Sequence, residues 1–171
     1  MKIVAVVAII LFTAAGAAGL AGARVNTTAS MPQGLYWVQS QKPDKGSLVL
    51  FCPPNSQIFR EAQARGYFGA GFCSSRSEAL LKRIVAVEGD QVTISDQGIV
   101  VNGQRLTHSA PLKTDPAGRP LPAFTAERTL AAGQVLLMAD RHPRSFDGRY
   151  FGPVDERLLK AVVVPVWTLS R

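Results

Sequence analysis

The feature that most constrains this chain is an uninterrupted apolar segment near its start. Residues 3–23 carry no charged side chain, and a helix of that length reaches roughly 30 Å, the hydrocarbon thickness of a bilayer. Lys2 precedes the segment and Arg24 follows it, and this arrangement predicts a short cytoplasmic N terminus and an exported remainder. Because 21–23 also has the small-x-small form of a peptidase recognition site, an uncleaved anchor and a cleaved signal peptide both remain open.

The remainder of the chain has the size and composition of one folded domain. The 171 residues are 47% apolar and 18% charged, with 15 glycines and 11 prolines, which excludes a disordered protein or a coiled coil. We therefore predict a membrane anchor or signal peptide over 1–24 and a single domain over 25–171.

Short β-branched and aromatic runs separated by turns predict a mostly β domain with one short helix. The helix is expected over 57–65, ended by Gly66. Segment 110–122 holds four prolines and is expected to be an irregular surface excursion. Pro165 predicts an edge position for the last strand, because proline cannot donate to a ladder. The strands are expected at 34–38, 47–52, 80–87, 92–95, 98–101, 134–138 and 162–169.

The two cysteines are interpreted through the compartment that the N-terminal segment predicts. An oxidising compartment favours a disulfide between Cys52 and Cys73, closing a loop of about twenty residues and stabilising the fold by about 3 kcal/mol. The alternative, a catalytic thiol, lacks a motif with His and Asn partners. Two cysteines with the scattered His108 and His142 make a poor metal site, and we expect no metal and no cofactor.

The formal net charge of +7 raises the question of a nucleic-acid partner. The basic residues are dispersed, form no block and have no interleaved aromatic residues, so we expect no nucleic-acid binding. A solvated basic surface is the expected result, with attraction to an anionic membrane face as a secondary effect.

Ser30 is the first of three candidate sites for chemistry, and it follows the apolar segment closely. It lies in a turn beside Pro32 and Gly34, where serine is usually only a turn residue.

Lys82 is the second candidate, because it interrupts an apolar strand. Alternation places it on the face of Leu80 and Ile84, and burial there would lower the pKa of its amine from about 10.4 toward the 7 to 8 that suits a general base. Arg83, on the other face, stays protonated. The alternative is that both cationic groups reach water at a strand edge.

The third candidate is the polar loop after the strand at 134–138. Asp147 and Arg149 form either a surface ion pair of little energetic value or a fixed pair that orients a neighbouring base. A Ser-His-Asp triad of Ser145, His142 and Asp140 is a further arrangement. Three residues within six positions cannot easily converge in triad geometry, which weighs against it.

Together these regions resemble the serine-lysine signal peptidase family. Its pattern is a membrane segment, a Ser-Met box, a Lys-Arg-hydrophobic stretch ending in Gly-Asp, a Val-Asn-Gly turn and a late Ser-x-Asp-x-Arg loop. Here the boxes appear in the same order across nearly the whole chain, as Ser30-Met31, Lys82-Arg83 to Gly89-Asp90, Val101-Asn102-Gly103 and Ser145-Phe146-Asp147-Gly148-Arg149.

Within that family, segments 30–36 and 147–153 are similar to TraF-type conjugative-transfer peptidases, as is the cysteine pair around a Gly-rich insert. Housekeeping members have another residue between the Met and the Pro of the first box, whereas here Pro32 follows Met31 directly. Gly148 stands where they have a serine. That departure leaves open what orients Lys82, and Asp147 is the candidate.

The resemblance implies a signal-peptidase-like folded β-sheet and a Ser/Lys dyad. Ser30 would attack a peptide carbonyl, with its backbone N–H as an oxyanion donor, and Lys82 would be the general base. Met31 and Pro32 would belong to the oxyanion and substrate region. Asp147 is the third predicted catalytic residue, and supporting roles are implied for Arg149, Ser145 and Arg83.

The resemblance also implies a substrate and a location. A conjugative pilin precursor would be processed at the inner membrane facing the periplasm, or in the periplasm if the N-terminal segment is cleaved. The N-terminal amine of the pilin would then resolve the acyl-enzyme, which gives a cyclic pilin subunit. Conjugative type IV secretion components would be possible partners. The alternatives are a general type I signal peptidase that removes leader peptides and a non-catalytic periplasmic pilus-assembly protein.

Overall fold

A computed structural model of the chain describes residues 2–139 and 141–169. Its first element is the apolar helix α1, Lys2–Ala21. No part of its span Ile3–Ala21 is buried in the protein, and the span is long and apolar enough to cross a membrane. Gly22 ends the helix, and the first strand begins at Ala23. The division predicted after residue 24 therefore falls inside that strand, and the two-part organisation stays a prediction.

Eleven strands follow within the described residues, which confirms the mostly β prediction. They are Ala23–Asn26 (β1), Gly34–Gln39 (β2), Leu48–Phe51 (β3), Leu80–Ala86 (β4), Gln91–Ser95 (β5), Gly98–Val101 (β6), Gln104–Arg105 (β7), Ala126–Thr129 (β8), Gln134–Met138 (β9), Val154–Asp155 (β10) and Leu159–Thr168 (β11). All seven predicted strands are present. The four others, β1, β7, β8 and β10, are two to four residues long and largely polar, so they lack the apolar alternation by which strands are predicted.

The strands form two antiparallel sheets. The larger has the order β1-β2-β11-β3-β4-β9-β10, and the smaller has the order β7-β6-β5-β8. Asp90 joins them at their junction. Its carboxylate accepts hydrogen bonds from Asn102 Nδ2 at 2.6 Å and from Lys45 Nζ at 2.9 Å. The Gly-Asp and Val-Asn-Gly boxes thus contact each other and stabilise the fold.

The helix predicted over 57–65 is present as α2, Gln57–Ala64, and buries Phe59 and Ala62. The expectation of one short helix is incomplete, because the late polar loop contains a one-turn helix, α3, Gly148–Phe151. The Asp147 carboxylate caps α3 by accepting from Arg149 N–H, a local bond that favours the turn. A 3₁₀ turn over Glu156–Leu158 precedes β11.

The prediction that Pro165 marks an edge strand is wrong for the strand as a whole. β11 lies between β2 and β3, with its pairs to β3 ending at Val163. Pro165 lies beyond that point, opposite Tyr36 of β2 and beside a register shift. The central strand tolerates the proline because its missing N–H falls where only one neighbouring strand is paired.

Segment 110–122 is irregular, as predicted, but it is not a peripheral excursion. Leu121 belongs to the main core, and Asp115 is buried against Arg119, at 2.6 Å. The hydroxyl of Tyr150 accepts a hydrogen bond from Leu112 N–H. The segment therefore packs over the loop that carries α3.

The core divides into three clusters, and the site described below lies between two of them. The largest, on one face of the larger sheet, includes Val49, Ile84 and Phe146. A smaller one on the opposite face includes Met31, Tyr36, Leu81 and Val163. The third fills the smaller sheet.

Candidate active site

Ser30 lies in the turn that connects β1 to β2, and Asn26 holds that turn in shape. The Asn26 amide donates to the carbonyls of Thr28, Met31 and Pro32 at 3.0–3.1 Å. Its oxygen accepts from the backbone and the hydroxyl of Thr28. The importance of Asn26 is missed by sequence reasoning, although an Asn at a strand end before a turn is a recognised local signal.

The far side of the same turn is fixed by β2 and β11. Tyr36 Oη donates to the Pro32 carbonyl at 2.6 Å, and Met31 is 1% exposed. Gly34 has φ +150°, and a Cβ there would overlap the carbonyl oxygen of Trp167. Leu169 N–H donates to the Gln33 carbonyl at 2.8 Å. Met31 and Pro32 therefore hold Ser30 against the sheet.

Lys82 is buried in the middle of β4, with 3% of its surface exposed. It pairs with Val49 on β3, beside the largest core cluster. Arg83 is only half-buried and donates to the Gly46 carbonyl at 2.9 Å. The alternative in which the lysine amine reaches water at a strand edge is wrong, because β4 lies between β3 and β9.

The environment of Lys82 lowers the pKa of its amine from 10.5 to about 8. Burial is the largest cause, since it penalises the charged form. The negative charge of Asp147 opposes this shift, and the positive charge of Arg149 adds to it. With this pKa, roughly a tenth of the lysine is neutral at pH 7 and most of it is neutral above pH 8.

Ser30 and Lys82 line the same cavity, which has a volume of about 120 Å³. Its apolar wall comes from β3, β4, β11 and the loops around them, and it includes Leu50, Leu80, Leu81, Phe68, Phe146 and Val163. Within residues 2–139 and 141–169 no hydrogen bond joins Ser30 to Lys82. Such bonds are often long before substrate binds and tighten in the complex.

Asp147 and Arg149 form a fully buried pair whose charges act on Lys82. Arg149 Nε donates to Asp147 Oδ1 and Nη2 to Oδ2, both at 2.8 Å, and neither side chain is exposed. Asp147 also accepts from Ala139 N–H at 3.0 Å. The surface ion pair considered above is therefore wrong. Asp147 affects Lys82 through its charge, and its assignment as the group that orients the lysine stays a prediction.

The remaining donors of Arg149 fix the loop backbone. They bond the carbonyl oxygens of His108, His142, Pro143 and Ser145 at 3.0–3.3 Å. One buried guanidinium thus determines the path of the chain from 142 to 145.

The hydroxyl of Ser145 is buried and has no hydrogen-bond partner, so its capacity to donate and accept a hydrogen bond is unused. His142 Nδ1 instead accepts from Arg144 N–H at 3.2 Å. A triad built on a Ser145–His142 hydrogen bond is therefore wrong. Asp140, its third member, lies outside the described residues.

Cys52 and Cys73 form a disulfide, which excludes the catalytic-thiol alternative. The bond joins the residue after β3 to the Gly-rich loop. On either side of Cys73 the chain supplies Phe68 and Glu78 to the wall of the cavity. The disulfide consequently holds part of the cavity wall, a contribution that the spacing of the cysteines does not reveal.

A family model described as "Signal peptidase, peptidase S26" matches residues 1–167. The chain belongs to this signal peptidase family. Membership confirms the resemblance to serine-lysine signal peptidases that the motifs indicate.

Several relatives of this signal peptidase family member are named for plasmid or conjugal transfer. The chain is 50% identical to the plasmid transfer protein TraF of Escherichia coli, covering 97% of this chain and 93% of the relative. It is 36% identical to the conjugal transfer protein TraF of Agrobacterium fabrum, covering 88% and 85%. It is 27% identical to a probable signal peptidase I-2 of Synechocystis, covering 75% and 50%. A solved signal peptidase I from Enterococcus faecalis V583 aligns with 20% identity and a TM-score of 0.40, covering 74% of this chain and all of that one.

Proposed function

We propose that this member of the signal peptidase family is a membrane-associated serine endopeptidase with a Ser30/Lys82 dyad. One observation carries the proposal: a lysine buried in a central strand, with its pKa lowered to about 8, lines the same cavity as the predicted nucleophile. An amine that is neutral near physiological pH accepts a proton, whereas an ordinary surface lysine does not.

In the proposed mechanism, neutral Lys82 takes the proton of the Ser30 hydroxyl as Ser30 Oγ attacks the peptide carbonyl. The oxyanion accepts a hydrogen bond from Ser30 N–H. Pro32 has no N–H and contributes by fixing the turn. The protonated lysine then gives its proton to the departing amine, which leaves an acyl-enzyme and a neutral Lys82 ready for the acceptor.

The supporting roles follow the contacts already described. Asp147 partly offsets the positive field of Arg149 at Lys82, and Arg149 fixes the loop that carries Ser145. The Ser145 hydroxyl, next to Phe146 of the cavity wall, is buried without a hydrogen-bond partner. Arg83, on the other face of β4, stabilises the strand through Gly46.

The proposed substrate is a conjugative pilin precursor, because two relatives are named for plasmid or conjugal transfer. In this proposal the pilin's own N-terminal amine resolves the acyl-enzyme, giving a cyclic subunit, and conjugative secretion components are the partners. The helix α1 would place the domain over 25–171 at the inner membrane facing the periplasm, or the domain would be released there by cleavage. The disulfide suits that oxidising compartment.

A general leader peptidase is the second candidate, and the similarity to the Synechocystis signal peptidase favours it. The two differ in the acyl acceptor, which is water for a leader peptidase. Mass spectrometry of the processed pilin separates them, because a cyclised product is one water lighter than the linear cut form.

The test measures pilin maturation by the Ser30→Ala and Lys82→Ala variants. Circular dichroism checks that both variants are folded. We expect both to abolish processing and labelling by a serine-directed acylating inhibitor. The exposed Ser40→Ala and Lys42→Ala are matched controls and should retain both. If the pilin still matures normally in cells that carry only Ser30→Ala or only Lys82→Ala, the mechanism is refuted. A non-catalytic pilus-assembly protein would then be favoured, with another enzyme cutting the pilin.

A further inference from the structure

A second cavity adjoins the turn that carries Ser30. It has a volume of about 290 Å³ and is lined by Ala29, Met31, Pro32, Gln33, Arg141, His142 and Leu169. It shares no lining residue with the cavity of Lys82. Ala29 and Met31 are the chain neighbours of Ser30, so the nucleophile lies where the two cavities approach each other.

The chemistry of the second cavity differs from that of the first. Arg141 is exposed and His142 is half-buried, and no acidic side chain among the described residues lines it. His142 Nδ1 accepts from Arg144 N–H, which leaves Nε2 as the donor. A guanidinium and an imidazole N–H in one cavity are complementary to a carboxylate.

The position of His142 is also built into the fold. Its carbonyl accepts from Ser145 N–H at 3.0 Å and from Arg149 Nη2 at 3.3 Å. Arg149 of the buried Asp147–Arg149 pair thus fixes the backbone of the second cavity at His142. Pre-organised donors of this kind recognise a ligand with less loss of conformational entropy than mobile ones.

We propose that the second cavity binds the part of the substrate that follows the scissile bond, and that Arg141 and His142 select a carboxylate there. This inference rests on the proposed peptidase function. The acyl part of the substrate must stay bound until the acceptor arrives, which suits the apolar cavity around Lys82. The leaving part must depart first, which suits a cavity with an exposed Arg141 at its wall.

The carboxylate has two sources, a C-terminal carboxylate or an Asp or Glu side chain within a few residues of the cut. Each residue of an extended peptide spans about 3.4 Å, so only the first few residues after the bond reach the cavity. A short acidic or chain-terminal leaving segment is therefore the expected preference.

The experiment uses the full-length protein in detergent with a library of peptides made from a digested proteome. Mass spectrometry then identifies every new terminus. Cuts that Ser30→Ala abolishes define the specificity. We expect enrichment of Asp, Glu or a free C terminus within about four positions after the cut, and the library shows which source dominates.

Arg141→Gln should remove that enrichment and lower cleavage of carboxylate-bearing peptides about tenfold, the loss expected for one charged hydrogen bond. Residues preferred before the cut should stay the same. Arg144→Gln is the matched control, because Arg144 is exposed in the same loop and does not line the second cavity.

The outcomes that overturn the inference differ from those that overturn the function. Ser30-dependent cuts without acidic enrichment, or with an enrichment that Arg141→Gln leaves intact, refute the carboxylate site. Acidic enrichment before the cut refutes the assignment of the cavity to the leaving segment. An absence of Ser30-dependent cuts refutes the peptidase proposal itself.

Discussion

The Asp147 carboxylate and the Arg149 guanidinium face each other through two hydrogen bonds of 2.8 Å, with neither group exposed to water. Breaking such a pair leaves an uncompensated buried charge, which costs about 3 kcal/mol or more. The pair also has opposite effects on Lys82, because Asp147 raises the pKa of the lysine and Arg149 lowers it. Its integrity therefore helps set the proton affinity of the proposed base.

The pH dependence of acylation should reflect Lys82 directly. A protonated lysine cannot accept a proton, so kcat/KM should rise about tenfold per pH unit below a midpoint near 8 and level off above it. The measurement is the initial rate of pilin cleavage from pH 6 to pH 9.5. A profile without a rise through pH 8 would contradict the role of Lys82 as general base.

Asp147→Asn should move this midpoint to lower pH. The substitution removes the charge that raises the pKa of Lys82 and leaves the opposing charge of Arg149 in place. It should also destabilise the fold by about 3 kcal/mol, because Arg149 stays buried without its counter-charge. Asp155→Asn, in the more exposed pair with Arg157, is the control and should leave the midpoint unchanged. A midpoint for Asp147→Asn that equals wild type would show that the carboxylate does not influence the lysine.

Lys82→Met should abolish activity and stabilise the protein at pH 7. Methionine fills a similar volume without a charge, and lowering the lysine pKa from 10.5 to about 8 corresponds to about 3 kcal/mol of destabilisation at neutral pH. Between pH 8 and 10.5 the unfolded wild type binds more protons than the folded state, so wild-type stability rises with pH. Denaturant unfolding of both proteins should show the gap narrowing across that window. A gap that does not change with pH would contradict the shifted pKa.

Reduction of the Cys52–Cys73 disulfide should weaken substrate binding more than turnover. The bond holds the loop that brings Phe68 and Glu78 to the cavity wall, whereas Ser30 and Lys82 lie on other elements. We expect a higher KM, a nearly unchanged kcat and a stability loss of about 3 kcal/mol. The double variant Cys52→Ser/Cys73→Ser should behave like the reduced protein and no longer respond to reductant. Equal losses in kcat would indicate that the loop supports the dyad itself.

Gly34→Ala should impair activity more than Gly46→Ala. Both glycines have positive φ, so both substitutions strain the backbone. Only at Gly34 would the new Cβ meet the Trp167 carbonyl, which forces β2 and β11 apart beside the Ser30 turn. Thermal unfolding measures the strain that each substitution adds to the fold. If the Gly34→Ala and Gly46→Ala variants are equally stable and equally active, this role of Gly34 is contradicted.

Much of the strand pattern could be predicted because it depends on local sequence, whereas the proposed Ser30/Lys82 dyad follows from the resemblance to the signal peptidase family. Alternation in β4 places Lys82 and Arg83 on opposite faces but does not show which of them is buried, and the N-terminal segment is identified by its length and apolar composition. The centrality of β11 could not be predicted, because strand order depends on pairings between residues far apart in the chain.

The surroundings of the dyad were less accessible to sequence reasoning for the same reason. The local sequence indicates that Asn26 begins a turn, but it does not show that the Asn26 amide bonds the carbonyls of Met31 and Pro32. Arg149 likewise bonds the carbonyl of His108 from a distant part of the chain. Conversely, composition suggests a triad of Ser145, His142 and Asp140. In the structure His142 Nδ1 accepts from Arg144 N–H, and the Ser145 hydroxyl has no hydrogen-bond partner.

The central position of β11 also bears on when the protein becomes active. β11 is the last strand in sequence, yet it separates β2 from β3 and contributes Val163 to the cavity of Lys82. The strands that precede β11 in sequence therefore cannot assemble this sheet in its native order by themselves. The cavity that Ser30 and Lys82 share is therefore complete only when the last strand of the chain has joined the sheet, so its closure depends on contacts between residues far apart in sequence.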